Sequence, residues 1–170
     1  SCVLYNAFEA FGFKDVEVYI PNRFIEGYGL TIGSVDRIKE MRADLIVTVD
    51  TGSLSHKEVD HANSLGIDVI ITDHHNVADQ HPKAIAVINP KRKDHSYAGV
   101  GVAFKLVQAL MTELKGLDNG QEKWLLDFVA LGTVCDIVPL SGENRMLVSY
   151  GLKVLKVSKR EGIKALIASS

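Results

Sequence analysis

Asp73-His74-His75 sets a carboxylate and two imidazoles side by side. Carboxylate oxygens and neutral imidazole nitrogens are both metal donors, so the trio can hold a transition metal beside a phosphate. The apolar run Ile67-Asp68-Val69-Ile70-Ile71-Thr72 comes directly before it. Such a run reads as a buried parallel strand, and open α/β sheets place their ligand crevices at the carboxyl ends of strands. One histidine at a strand end is usually a packed or surface residue. The chemical reading gains weight from a second strand-end carboxylate, Asp50 of Asp50-Thr51-Gly52, which follows the run Leu45-Ile46-Val47-Thr48-Val49. Either aspartate alone is as readily a turn or cap residue. The two together with the histidine pair favour a site.

Asp136 is a third carboxylate, set in the apolar stretch Cys135-Asp136-Ile137-Val138-Pro139-Leu140. A buried carboxylate needs a cation, a donor or a proton, and helix capping is its plainer role. Asp50, His74, His75 and Asp136 include no thiolate. Hard oxygen with some imidazole suits Mn²⁺ or Mg²⁺ over a structural zinc. Two such ions close together hydrolyse phosphoesters. Asp50, with two oxygens at a strand end, is placed to bridge them. His74 is a ligand, and Asp136 completes the second metal. His75 and Asp73 form the candidate catalytic pair. His75 faces the substrate as a donor to the phosphoryl oxygen or leaving group, and Asp73 supports a histidine or holds the loop.

These groups need a scaffold. The segment Leu54 to Leu65 between the two strands is helical in pattern, with a capping box in Ser55-His56-Lys57-Glu58. Strand–helix–strand units cross over right-handedly, so Asp50 and Asp73 emerge on one sheet edge. Upstream, the first dozen residues read as a helix, Val16-Glu17-Val18-Tyr19-Ile20 as an alternating strand, Pro21 to Gly29 as a loop and Thr31 to Arg42 as an amphipathic helix. Ala84-Ile85-Ala86-Val87-Ile88 is a further strand, ending at Asn89-Pro90. Downstream, Gly99 to Leu114, Glu122 to Val134, Asn144 to Lys156 and Arg160 to Ala168 all carry helical periodicity. The fold class is α/β: a parallel sheet flanked by helices, with a mostly helical carboxy-terminal half.

Gly99-Val100-Gly101 opens a helix, where backbone N–H groups can approach a phosphate; tight packing is the equal alternative. Lys91-Arg92-Lys93, followed by His95, can contact phosphates, although a short charge run is more often a solvated loop. His56, His61, His81 and His95 receive no role.

The formal net charge of −2 gives no electrostatic footprint for nucleic acid. Cys2 and Cys135 make no disulfide framework. No signal peptide is visible and no apolar run is long enough to span a bilayer, so the expected location is the cytoplasm.

Several stretches together resemble the DHH phosphoesterases, and within them the RecJ-type single-strand-specific DNA exonucleases. Asp73-His74-His75 matches the name-giving motif. Val49-Asp50-Thr51-Gly52 is similar to the second motif, and Ala130-Leu131-Gly132-Thr133-Val134-Cys135-Asp136-Ile137-Val138-Pro139-Leu140 to the fourth. Pro21-Asn22-Arg23-Phe24-Ile25-Glu26-Gly27-Tyr28-Gly29-Leu30 and Ala98-Gly99-Val100-Gly101-Val102-Ala103-Phe104-Lys105-Leu106 resemble RecJ-type stretches in particular. The resemblance implies a two-metal Mn²⁺ or Mg²⁺ site with Asp50 bridging. It implies 5′→3′ hydrolysis of single-stranded DNA in repair and recombination, by a monomer. Gly99, Gly101, Arg23 and Tyr28 are the candidate substrate contacts, with folding of the matched loop an equal role for Arg23 and Tyr28. The family's first motif, an Asp-rich loop, is not matched; Ser1 resembles its last residue. The expected organisation is therefore a catalytic domain over residues 1–157, lacking that motif, with 158–170 starting a connecting helix. Such a piece is expected to be a weak nuclease. The alternatives are a phosphodiesterase for short oligonucleotides or cyclic dinucleotides, which the Gly-Tyr-Gly-Leu loop disfavours, and a non-catalytic scaffold, which the retained Asp50, His74, His75 and Asp136 disfavour.

Overall fold

The structure is a computed structural model; it describes residues 1–93 and 96–169, and only the backbone of residues 92 and 93. In chain order the elements are α1 (Cys2–Phe11), α2 (Ile32–Glu40), β1 (Leu45–Val49), α3 (His56–Ser64), β2 (Asp68–Thr72), β3 (Ala86–Ile88), α4 (Gly99–Leu110), α5 (Leu126–Cys135), α6 (Gly142–Lys156) and α7 (Glu161–Ala168). Short 3₁₀ turns cover Pro90–Lys93 and Gln121–Leu125. Packing divides the chain into two compact units, Glu17–Val102 and Ser1–Val16 with Ala103–Ser170.

The first unit holds the sheet, in the order β1-β2-β3 with both pairs parallel. The register aligns Val49 with Thr72 and Thr72 with Ile88. Asp50, Asp73 and Asn89 therefore stand in one row, each a single residue past the last pair. Backbone bonds carry the ladder one step further into that row: Asp50 N–H donates to Thr72 O at 2.9 Å and Asp73 N–H to Ile88 O at 3.0 Å.

Beneath the sheet lies an apolar cluster of Val35 and Ile38 from α2, Ile46, Val59 and Ala62 from α3, Ile67, Val69 and Ile71. The alternation of β1 and β2 places Ile46, Val69 and Ile71 on this face. Full burial of each such side chain stabilises by about 1.5–3 kcal/mol. Ile71 is completely buried at the centre of the sheet, paired with Thr48 and Val87. Ile71→Ala should lower unfolding stability by about 2–5 kcal/mol through lost transfer energy and a cavity. A urea titration checks this, and a loss under about 1 kcal/mol would mean the layer repacks freely.

Two local expectations give way to other arrangements. Val16 to Ile20 carries no strand: Val18 and Ile20 are exposed and only Tyr19 packs against the core. Alternation is a local property, and without a neighbouring strand there is no ladder for it to join. The capping box lies on α2 instead of α3. Thr31 Oγ1 accepts from Ser34 N and Ser34 Oγ accepts from Thr31 N, whereas Ser55 makes no side-chain cap.

In the second unit α5 packs along α6 and touches α1. The contact with α6 centres on Gly151, where a Cβ would lie 2.6 Å from Ala130 Cβ. Asp127, almost wholly buried on α5, accepts from Phe128 N at 2.7 Å, Ser158 Oγ at 2.9 Å and Arg160 Nε at 3.1 Å. Arg160 also donates to Asn6 Oδ1 at 2.7 Å, which ties the start of α7 to α1. The carboxy-terminal half is helical as the periodicity requires. No helix among the described residues is long and apolar enough to cross a membrane.

Candidate metal centre

The first donor sits on a strained turn. Asp50 adopts φ 66°, in the left-handed region that aspartate tolerates better than most residues. Backbone strain of this kind persists only where the surroundings enforce it. Here Tyr28 Oη donates to Asp50 O at 2.6 Å, and Thr48 Oγ1 donates to Thr51 O at 2.7 Å. Gly52, at φ 113°, closes the turn where a Cβ would sit 2.9 Å from Thr48 Oγ1 and 3.3 Å from Ile71 Cγ2. Gly99, at the start of α4, leaves the space that the Asp50 side chain fills: a Cβ there would lie 2.6 Å from Asp50 Cγ.

The second strand end is built around Asp73, which is 1% exposed. Its Oδ2 accepts from Ser53 N at 2.9 Å. Its Oδ1 accepts from His74 N at 2.7 Å, His75 N at 3.2 Å and His75 Nδ1 at 2.8 Å. Burial pushes the carboxyl group up, but the Ser53 N–H, the His75 ring, the Ser53 hydroxyl and the His75 N–H outweigh it and hold its pKa below the ordinary value. An ionised Asp73 makes His75 Nδ1 the donor. The lone pair of a neutral His75 is then on Nε2, where it can serve a metal but cannot donate to a phosphoryl oxygen, the role read from the sequence.

His74 Nε2 lies 3.0 Å from Asp50 Oδ1, and both atoms are buried. Asp50 Oδ1 accepts no well-formed hydrogen bond among the described residues. A buried carboxylate oxygen without a donor is costly, and a cation removes the cost. Cis ligands about 2.1 Å from a small dication stand about 3.0 Å apart, so the spacing fits. Asp50, His74 and His75 each offer one donor atom within 4.8 Å of the others. The His74 and His75 rings are 4.5 Å apart between centroids, with Tyr28 edge-on to His75 at 6.1 Å. Oxygen and imidazole donors without thiolate, one oxygen lacking a proton donor, and a glycine cradle behind the carboxylate all fit a hard or borderline dication such as Mn²⁺ or Mg²⁺.

Residues 1–133 match the DHH family, N-terminal domain. The chain belongs to the DHH family. It is 46% identical, over 95% of its length, to the single-stranded-DNA-specific exonuclease RecJ of Escherichia coli, and covers 30% of that protein. It is also 46% identical to the Bacillus subtilis protein of the same name, over 91% of this chain and 20% of the relative. Among solved structures, an exonuclease RecJ bound to manganese superposes with a TM-score of 0.85 at 34% identity, over 98% of this chain and 43% of the other. RecJ from Thermus thermophilus in complex with Mn²⁺ gives a TM-score of 0.80 at 31% identity, over 98% of this chain and 24% of the other. The chain thus spans less than a third of the length of these curated relatives.

The DHH triplet and Asp50 come together in the sheet-bearing unit, as their strand-end positions imply. Gly99 lies against Asp50. Gly101 lies against Tyr97, where a Cβ would stand 3.3 Å from Tyr97 Cβ. Arg23 stacks its guanidinium 5.6 Å from the Tyr28 ring centre. Asp136 belongs to the other unit. It is the C-cap residue of α5 and is exposed, as are Cys135 and Ile137 beside it. The burial inferred from its apolar neighbours is therefore corrected, because the helix ends there and turns those neighbours outward. His61 pairs with Asp36 at 2.7 Å and His81 contacts its own loop at Pro82 O. Lys91 Nζ donates to Asn76 Oδ1 at 3.1 Å; the Arg92 and Lys93 side chains and His95 lie outside the described residues.

The loop carrying Arg23 and Tyr28 is anchored by Glu26. Its carboxylate accepts from Tyr19 Oη, from Asn22 N at 3.2 Å and from Arg37 Nη1 at 2.9 Å. The Tyr19 hydroxyl above all, then the Asn22 N–H and Arg37, hold Glu26 below the usual carboxylate range against a small opposing effect of burial. The unfolded chain therefore takes up this proton first. The stabilisation is complete above about pH 4.3, the ordinary glutamate value, and is lost as pH falls from there through the folded-state value. Glu26→Gln should lower the urea midpoint at pH 7, and the gap to wild type should close on acidification. A gap that stays constant down to pH 3 would exclude Glu26 as the anchor.

Ser53 and Asn89 carry no signal in the motifs, yet both are buried polar residues within this network. Asn89 was visible in the sequence only as the residue ending the fourth strand read there.

Proposed function

We propose that this chain forms part of a metal-dependent exonuclease that removes nucleotides from the 5′ end of single-stranded DNA. The observation that carries the reading is the meeting of Asp50 Oδ1, His74 Nε2 and His75 at the ends of two adjacent parallel strands. The names of the relatives supply the substrate and the manganese-bound structures the metal. Asp50 and His74 hold a dication, Asp136 serves a second, and Asp73 keeps His75 in the tautomer whose bare Nε2 faces a ligand position. A bound dication polarises the phosphoryl oxygen and lowers the pKa of its water. Tyr28, Arg23, Gly99 and Gly101 line the approach of the strand. The catalytic domain is assigned to residues 1–157, with 158–170 beginning a connecting helix. The protein is read as a cytoplasmic monomer whose partner is single-stranded DNA.

The test follows nucleotide release from single-stranded DNA labelled at the 5′ or the 3′ end, using the chain in its native polypeptide with Mn²⁺. Early release of the 5′ label, stopped by EDTA and restored by Mn²⁺, is expected. Hydrolysis that survives chelation would overturn the metal assignment. Early release of the 3′ label would overturn the polarity.

A further inference from the structure

We propose that Asn89 is a positioning residue for His75, acting on its ring and its backbone at once. This rests on the reading of His75 as a site residue. Asn89 directly follows β3, in the row that also contains Asp50 and Asp73, and is buried. Its Nδ2 donates to Ser53 Oγ at 2.8 Å and to His75 O at 3.0 Å, and its Oδ1 accepts from Lys91 N at 3.0 Å. One amide thus satisfies both hydrogens and an acceptor, a set that no other side chain of its size provides.

The two arms of Nδ2 converge on one residue. Through Ser53, Asn89 fixes the residue whose N–H donates to Asp73 Oδ2 at 2.9 Å. Asp73 in turn holds His75 Nδ1 at 2.8 Å. Through the His75 carbonyl, Asn89 holds the backbone from which that ring projects. His75 is otherwise poorly restrained, since half of its side chain is exposed. It lies in a loop, and its ring meets Tyr28 only edge-on. The circuit Asn89–Ser53–Asp73–His75–Asn89 is closed entirely within the sheet-bearing unit. Lys91 extends it to the loop after the triplet, because its Nζ donates to Asn76 Oδ1 at 3.1 Å while its N–H is held by Asn89. Hydrogen bonds behind metal-binding imidazoles fix tautomer and orientation, and removing them typically weakens metal affinity by about 10–100-fold.

The test compares wild type with Asn89→Ala and Asn89→Asp. The latter keeps the volume and one acceptor but removes both donors. Long-range ¹H–¹⁵N spectra at fixed neutral pH read the His75 tautomer, and electron paramagnetic resonance of free Mn²⁺ reads affinity. Wild type should show His75 protonated at Nδ1. Both variants should shift the His75 ring nitrogens toward averaged tautomers and weaken Mn²⁺ binding about tenfold or more. Val59→Ala, remote in the apolar cluster, should lose stability while changing neither readout. A His75 signature identical to wild type in the Asn89 variants would overturn the inference, whatever happens to their stability. Should Asn89→Ala fail to fold, Asn89→Asp decides. His74→Ala tests the metal reading separately: if Mn²⁺ affinity survives that change, the metal site is wrong, and the ring signature alone still decides the role of Asn89.

Discussion

Asp50→Asn should abolish tight Mn²⁺ binding while leaving the fold intact. Asparagine tolerates the left-handed backbone at φ 66° as well as aspartate does, so the turn survives. Only the charge and one oxygen are removed. Asp50 Oδ1 is buried 3.0 Å from His74 Nε2, where an amide brings either a weaker neutral oxygen or an NH₂ group facing a cation. Loss of supporting hydrogen bonds alone costs metal sites about 10–100-fold, so loss of an anionic ligand should exceed about 100-fold in affinity. Turnover on single-stranded DNA should fall at least as far. The metal-free variant should be about as stable as wild type, because the Asp50 side chain is half exposed and the one buried oxygen, Oδ1, has no proton donor to lose. Calorimetric titration with Mn²⁺ and a thermal melt without metal measure the two effects. Unaltered affinity would show that the carboxylate does not face the ion.

Gly99→Ala should have an effect of similar size by a different route. The glycine has an ordinary backbone conformation, and alanine at that place is the better helix former. The obstacle is purely spatial. An added Cβ would lie 2.6 Å from Asp50 Cγ and 2.7 Å from Asp50 Cβ, closer than carbon atoms approach. The Asp50 Cβ cannot yield easily, since its backbone is held by Thr72 O and the Tyr28 hydroxyl. Either the carboxylate swings away from His74 or the start of α4 moves off the sheet. Overpacking of this kind costs about 1–3 kcal/mol, and it should remove Mn²⁺ affinity by about 100-fold as the ligand is displaced. If Gly99 instead served only to bring backbone N–H groups to a phosphate, Mn²⁺ affinity would stay and only DNA binding would weaken. Calorimetry with the metal, beside a fluorescence titration with a single-stranded oligonucleotide, separates the two.

Much of the site was legible without coordinates because its signals are local. Two short apolar runs with a helical segment between them require a parallel crossover, and that topology alone brings Asp50 and the Asp73-His74-His75 triplet to one edge. The DHH membership, carried by the same residues, follows equally from the chain. Helices in the carboxy-terminal half were visible in their periodicity, since the pattern of burial on a helix repeats within a few residues.

Register and side-chain direction are set by partners distant in the chain, and there the sequence was silent or misleading. Val16 to Ile20 alternates as a strand does, but no neighbouring strand completes a ladder. Ser55 has the spacing of a capping box, while Thr31 and Ser34 form the real one. Asp136 sits among apolar residues that turn out to be exposed at a helix end. Gly99 left phosphate approach and tight packing as equal readings, and only the structure shows that the space it leaves is filled by Asp50. Asn89 looked like a strand terminator until the alignment of Thr72 with Ile88 set it in line with Asp73. The sequence by itself determined which donors exist and which sheet edge bears them. Tertiary structure decided which donor atoms meet, and which glycine and which buried amide hold them there, because those contacts arise only when three strand ends are brought into register.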